Sequence, residues 1–244
     1  MGLHVSKSTL TISQAAQALG VSVQTLRRWD QSGHLSAIRS GQRAHRHYRR
    51  IDIDFLLCPL FKVAWKWMLD NPVDPVSEYY CPDSMIFKAR LSKLPLALTN
   101  QPALAEVVPL IVAITGEIGN NSFDHNLGNW PDILGTFFGY DINKRYIVLA
   151  DRGQGILQTL KRIRPELQND RQALVVAFSE IISGRSPEAR GNGLKFVRQV
   201  VTTNPMSLFF QSGNAQLWLK EHEATLEIIN SETYLRGCLA LIKF

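Results

Sequence analysis

Long apolar runs, cysteine and, at one end, acid are what this chain has little of. No stretch of about 18 uncharged apolar residues occurs, which excludes a membrane-spanning helix. The N-terminal MGLHVSKSTLTIS has no apolar centre of the kind a secretory signal needs. A cytoplasmic location without a membrane partner is therefore expected. Only three cysteines are present, Cys58, Cys81 and Cys238. Odd in number and far apart, they form neither a disulfide framework nor a zinc site, and they suit a reducing compartment. Internal repeats and low-complexity tracts are absent.

What is there suits a folded core: 45% hydrophobic and 20% charged residues over 244 positions. That length is enough for one large domain or two smaller ones. The charge is uneven. Residues 1–57 hold eight Lys/Arg against Asp30, Asp52 and Asp54, a net +5 of the chain's +6, and four of the six histidines. Such asymmetry suggests a small module for a polyanion joined to a nearly neutral domain.

Within the basic module, LTISQAAQALGVSVQTLRRWDQSGHL reads as two short helices. Thr11 or Ser13 can cap the first and Gly20 ends it; Ser22 can cap the second and Gly33 stops it. Val23, Leu26 and Trp29 form an apolar stripe, leaving Gln24, Thr25, Arg27 and Arg28 outward. HLSAIRS, a turn at GQR and HRHYRR then read as a two-stranded wing carrying Arg43, His45, Arg46 and Arg49. Two helices across a tight turn, the second rich in donors, suit the major groove of double-stranded DNA. The bland alternative is a helical hairpin with a solvated charge run.

Residues 9–57 resemble the winged helix-turn-helix of MerR-type regulators, and more closely its variants in excisionases and some transposon-encoded recombinases. Ile12, Ala15, Ala16, Leu19, Gly20, Val21, Ser22, Thr25, Leu26, Arg27, Trp29, Gly33 and Leu35 carry the resemblance, with His45, Arg46, Tyr48 and Arg49 in the wing and IDIDFL as the helix after it. It implies that the second helix and the wing contact DNA. The long dimerisation helix of the usual MerR regulator is missing.

Residues 58–99 read as a linker and lead-in: FKVAWKWMLD as a short amphipathic helix, NPVDPVSEYYCPD as irregular chain, SMIFKARL as a first strand. Next, ALAEVVPLIVAITG runs into EIGNNSFDHN. If the helix continues, Glu117, Asn121, Asp124 and His125 share one face at i, i+4, i+7 and i+8. RYIVLADRGQGI is an apolar strand ending in Asp151, followed by Gly153 and Gly155. GRSPEARGNGLKFVRQVV is a loop with Gly191 and Gly193 entering a helix at Leu194. SLFFQSGNAQLWL and GCLALIKF read as late strands.

In this order the three segments resemble the boxes of the GHKL ATPase superfamily, which includes gyrase-type topoisomerases, mismatch-repair ATPases, sensor histidine kinases and anti-sigma kinases. Glu117, Asn121 and Asp124 match the first box, Asp151, Gly153 and Gly155 the second, and Gly191, Gly193 and Leu194 the third. The resemblance covers about 100–244. It implies an α+β chain: a winged helix-turn-helix (1–57) plus a two-layer α/β sandwich (100–244) of the Bergerat-like ATP-binding kind. It implies ATP and Mg²⁺ as ligands. Asp151 would accept from the adenine amino group, Asn121 would offer oxygen to Mg²⁺, and Glu117 would activate water. Gly191 and Gly193 would let backbone N–H groups approach phosphate. Residues 156–190 would be the lid, with Arg185 and Arg190 near phosphate. Asp124 and His125 have a structural alternative, bonding loop backbone. Asn192, where many relatives have Arg or Thr, leaves ATP binding better founded than hydrolysis.

The leading expectation is a regulatory DNA-binding protein with an ATP switch, working as a homodimer with room for a protein partner. The alternatives are an anti-sigma-type or sensor-kinase-like phosphotransferase, or a non-catalytic partner-binding module targeted to DNA. No phosphoacceptor-histidine helix pair precedes the ATPase-like region.

Overall fold

The computed structural model describes residues 8–40, 45–69, 71–99, 101–180 and 193–244. Two units divide the chain, Met1–Lys62 and Val63–Phe244.

In unit 1 the order is β1 (Thr9–Thr11), α1 (Ile12–Leu19), α2 (Val23–Ser32), β2 (Ile38–Ser40), β3 (His45–Arg49) and α3 (Arg50–Leu57). Local chemistry sets both helix starts. Thr11 Oγ1 accepts from Gln14 N while Thr11 N donates to Gln14 Oε1, a reciprocal capping box. Ser22 Oγ accepts from Thr25 N at 3.0 Å. Gly20 and Gly33 end the helices in the left-handed conformation. The apolar faces meet in a small core of Ala15, Ala16, Leu26, Leu35, Tyr48 and Ile53. The wing differs from the sequence expectation: it is a three-stranded antiparallel sheet, order β1-β3-β2. Thr9–Thr11 pairs with His47–Arg49 because the chain before the first helix is already extended and lies beside β3. The expected tip residue Arg43 lies outside the described residues.

Unit 2 follows from α4 (Pro59–Leu69), within which the division between the units falls. Then come β4 (Tyr80–Cys81), α5 (Ser84–Leu91), α6 (Leu94–Thr99), α7 (Val108–Asn126), β5 (Thr136–Asp141) and β6 (Tyr146–Asp151). The remainder is α8 (Gly155–Lys161), α9 (Asp170–Ser179), α10 (Gly193–Thr203), β7 (Ser207–Lys220) and β8 (Ile228–Lys243). The sheet is antiparallel throughout, in the order β4-β5-β6-β8-β7. On one face Phe138, Ile147, Leu149, Phe210 and Ala240 share a core with Ile111, Ile114 and Ile118 of α7, Phe178 of α9 and Val197 of α10. The alternate residues Phe137, Val148, Ala150, Leu239 and Leu241 are also buried. β6 is covered on both faces, which is why its sequence is apolar without alternation. The expected mixture of helix and strand is what the chain shows, with a helix-turn-helix at its N-terminal end.

Three further expectations change. SMIFKARL is the helix α5, not a strand: Asp83 caps it through Ile86 N at 2.8 Å, an N-cap signal that outweighs the short apolar run. Residues 58–99 are not a passive linker. Phe87, Leu94 and Leu98 are fully buried in the main core, and the Pro-punctuated stretch is tied down by Trp67 Nε1 donating to Val73 O and Arg90 donating to Ser77 O and Glu78 O. Within the expected lid, α9 buries Ala173, Leu174 and Phe178, so it is part of the helical layer. The lid's end at 181–190, with Arg185 and Arg190, lies outside the described residues, as does Gly191 of the third box.

Candidate functional site

In unit 1 the second helix presents Gln24, Arg27 and Arg28 as exposed residues, with Thr25 half-buried and bonded to Ser22. His45 is exposed at the described edge of the wing. Two wing arginines are already engaged. Arg46 Nε donates to Asp30 Oδ2 at 2.8 Å, and Arg49 Nε donates to Asp52 Oδ2 at 2.8 Å. Asp30 also accepts from Arg39 Nη2 at 2.7 Å and from Ala37 N at 2.9 Å. The Arg46 hydrogen bond and the Ala37 amide hold the Asp30 carboxyl below the usual aspartate range. Asp30 therefore fastens the end of α2 to β2 and β3. Neither Asp30 nor Arg39 stood out in the sequence, because the contacts joining them span 9 to 16 positions.

In unit 2 a cavity open to solvent, about 360 Å³ with the adjoining solvent space included, lies between α7, the turn after β6, α10 and the β7–β8 pair. Ile118, Asn121, Ser122, His125 and Asn126 line it from α7; Asp151, Gly155, Leu194 and Cys238 line it from the other elements. The expected Asn121, Asp151, Gly155 and Leu194 are thus brought together. Glu117 sits beside the start of α10: a Cβ on Gly193 would fall 2.6 Å from Glu117 Oε2. Asp124 is exposed and does not line the cavity. The helix winds so that Ser122 and Asn126 take the inward positions that the spacing argument had given to Asp124.

Asp151 ends β6 and is 2% exposed. Ser122 Oγ donates to its Oδ2 at 2.8 Å and Gly153 N to its Oδ1 at 2.9 Å. Burial pushes the Asp151 carboxyl up, against the pull of these donors, Ser122 first. Asn126 fastens the surrounding chain. Its Nδ2 donates to Ser122 O at 2.8 Å, and its Oδ1 accepts from Gln154 N at 2.8 Å. The close packing of Asn126 explains Gly153: a Cβ there would lie 2.0 Å from Asn126 Nδ2. Ser212, at an irregularity in the β7–β8 register, accepts from Ile156 N and donates to Gly237 O, both at 3.0 Å. Bulges re-aim side chains in this way next to sites. Cys238 is pushed well above its ordinary range by burial and then by Asp151, so it stays a thiol. The contacts of Ser122 and Asn126 with the turn span 25 to 29 positions, and nothing local signals them.

The arrangement can accept hydrogen bonds at a buried carboxyl, supply a neutral amide oxygen from Asn121, and admit an apolar ring against Ile118, Ile156 and Leu194. Among the described residues no group of three or more His, Cys, Asp or Glu could hold a metal ion. Among the described residues no helix is long and apolar enough to cross a membrane.

No curated protein matches the chain. Residues 11–48 match the family model described as MerR family regulatory protein, and this match, on the helix-turn-helix geometry of α1 and α2, supports a DNA-binding regulatory role.

Proposed function

We propose that this protein is a DNA-binding regulator whose second unit takes ATP with Mg²⁺, nucleotide occupancy acting as the switch. The observation that carries the ATP half is Asp151: a buried carboxyl held by Ser122 and Gly153 on the floor of a cavity, opposite the start of a helix. Such a group accepts from the amino group of adenine, a donor that guanine lacks at that position. Glu117, Asn121 and Gly193 lie together at the other end, where the phosphates would extend. The resemblance to GHKL ATPases supports the same reading. Glu117 is the residue that would activate water, and hydrolysis is a separate step from binding.

Calorimetry on the full chain with Mg²⁺ and ATP, ADP or GTP tests it. ATP binds and GTP does not. Asp151→Asn weakens ATP by about 1–3 kcal/mol, since its amide can point a donor at a donor. Equal ATP affinity in wild type and variant removes the adenine assignment. On the DNA side, binding weakens steeply with salt, and Arg27→Ala lowers the log–log slope by about 0.9. A single helix-turn-helix reaches few base pairs, so pairing of two copies under ATP raises DNA affinity through effective concentration. Light scattering with and without the nucleotide reads that pairing directly.

A further inference from the structure

Three residues next to the cavity in sequence meet in a second cluster. Arg152 follows Asp151, Asp132 lies in the loop after α7, and Arg236 precedes Cys238 by two positions. Arg152 Nη2 donates to Asp132 Oδ2 at 2.8 Å, and Arg236 Nη1 donates to the same oxygen at 3.1 Å. Arg152 Nη1 donates to the main-chain oxygen of Trp67 at 2.6 Å, and its guanidinium lies 5.9 Å from the Trp67 ring centre. Trp67 belongs to the last turn of α4, whose terminal carbonyls have no partner within the helix. A cation there also meets the negative end of the helix dipole. Arg152 is 6% exposed and Asp132 faces it, so the pair is shielded from solvent screening.

We infer that this cluster is how occupancy of the cavity is felt at α4, a reading that rests on the nucleotide proposal above. The link is short. Gly153 N bonds the Asp151 carboxylate, so residues 151–153 form one tight turn with Arg152 at its middle. A ligand that bonds Asp151 holds this turn in the geometry that keeps Arg152 on the α4 carbonyl. An empty cavity leaves the turn with protein donors alone. The two states differ in whether the last turn of α4 is capped or frayed. α4 is also where the chain passes from unit 1 to unit 2. A ligand shifts such an equilibrium by its differential affinity for the two states.

The test is hydrogen exchange of the full chain, followed in peptides covering 59–69, with Mg²⁺ and the β,γ-imido analogue of ATP. Calorimetry is run on the same samples. In wild type the analogue slows exchange of the α4 amides by about fivefold or more. Arg152→Lys keeps the charge but not the planar fork that serves Asp132 and Trp67 together. It binds the analogue no more weakly than the coupling itself requires, about fivefold, since it does not line the cavity, and its α4 exchange no longer responds. An equal response in Arg152→Lys, or analogue binding to wild type with no change in α4, overturns the inference and leaves the nucleotide proposal standing. No analogue binding to wild type removes both. If Arg152→Lys does not fold, Arg236→Gln, which leaves the Arg152–Asp132 pair intact, is expected to weaken the α4 response, and an unchanged response overturns the inference.

Discussion

The two units satisfy their buried and capping polar groups over different chain distances. In unit 1 the caps are local: Thr11 with Gln14 and Ser22 with Thr25, each three residues apart. Asp30 with Ala37, Arg39 and Arg46, and Tyr48 Oη with Leu26 O, reach further. In unit 2 the groups around the cavity are paired across 25 to 56 positions: Ser122 and Asn126 with Asp151, Ile156 with Ser212. Arg152 reaches Trp67 across 85. A small unit with short-range pairs announces itself in sequence. A site assembled from distant segments shows only its individual pieces.

The sharpest break of this comparison is Phe87→Ala, in the stretch that read as lead-in. Phe87 is fully buried, 5.3 Å between ring centres from Phe138 and 5.9 Å from Phe123. Truncation costs about 3–5 kcal/mol if the stretch is core. Within about 0.5 kcal/mol it is surface linker instead. Urea unfolding, followed by probes in each unit, reads the difference as a shift of the unit 2 transition.

Asn126→Ala comes next. It strips the acceptor from Gln154 N and the donor from Ser122 O, and about 1–3 kcal/mol of unit 2 stability goes with an unsatisfied buried group. Nucleotide affinity falls too, because Asp151 loses its frame. Asp124→Ala, outside the cavity, leaves both unchanged; a loss there would restore the position favoured by the helix-face argument.

Ser22→Ala belongs to the local side of the comparison. A lost N-cap costs about 1 kcal/mol. That loss appears as reduced helix content and lower stability of unit 1.

The smallest expected effect is in pH, and its sign differs between units. Asp30 has a depressed carboxyl, first through Arg46. Its contribution is present above the ordinary aspartate value of about 3.9 and is lost as pH falls through the folded value. Asp151 is raised by burial. Its contribution is present below the ordinary value and is lost as pH rises through the folded one. Asp30→Asn therefore flattens the acid limb of unit 1, and Asp151→Asn flattens a loss of unit 2 stability that begins at mildly acidic pH and grows upward. Urea midpoints of both variants and wild type across pH check the two signs; equal signs would remove the contrast.

Much was legible from the chain alone. The capped helices around Gly20, the long α7, the apolar β6 and the α10 start all lie where their spacing puts them. Asn121, Asp151 and Leu194 line one cavity; the resemblance to GHKL ATPases, not spacing, had put them together. SMIFKARL misled because eight residues of mixed apolar and basic character fit either period, and the deciding cap lies at Asp83, before the segment. The burial of Ala173, Leu174 and Phe178 in α9 was not legible either, because QALVVAFSEII does not say which neighbour a helix covers.

Residue type and spacing by themselves determined the helix ends and the basic character of unit 1, since caps, periods and charge counts act within a few residues. Tertiary structure alone decided that Ser122 and Asn126, not Asp124, hold Asp151, that Asp30 ties down Arg46, and that Arg152 caps α4. Each of those bonds joins groups brought together only when distant elements pack, and the chain carries no local mark of a partner chosen by packing.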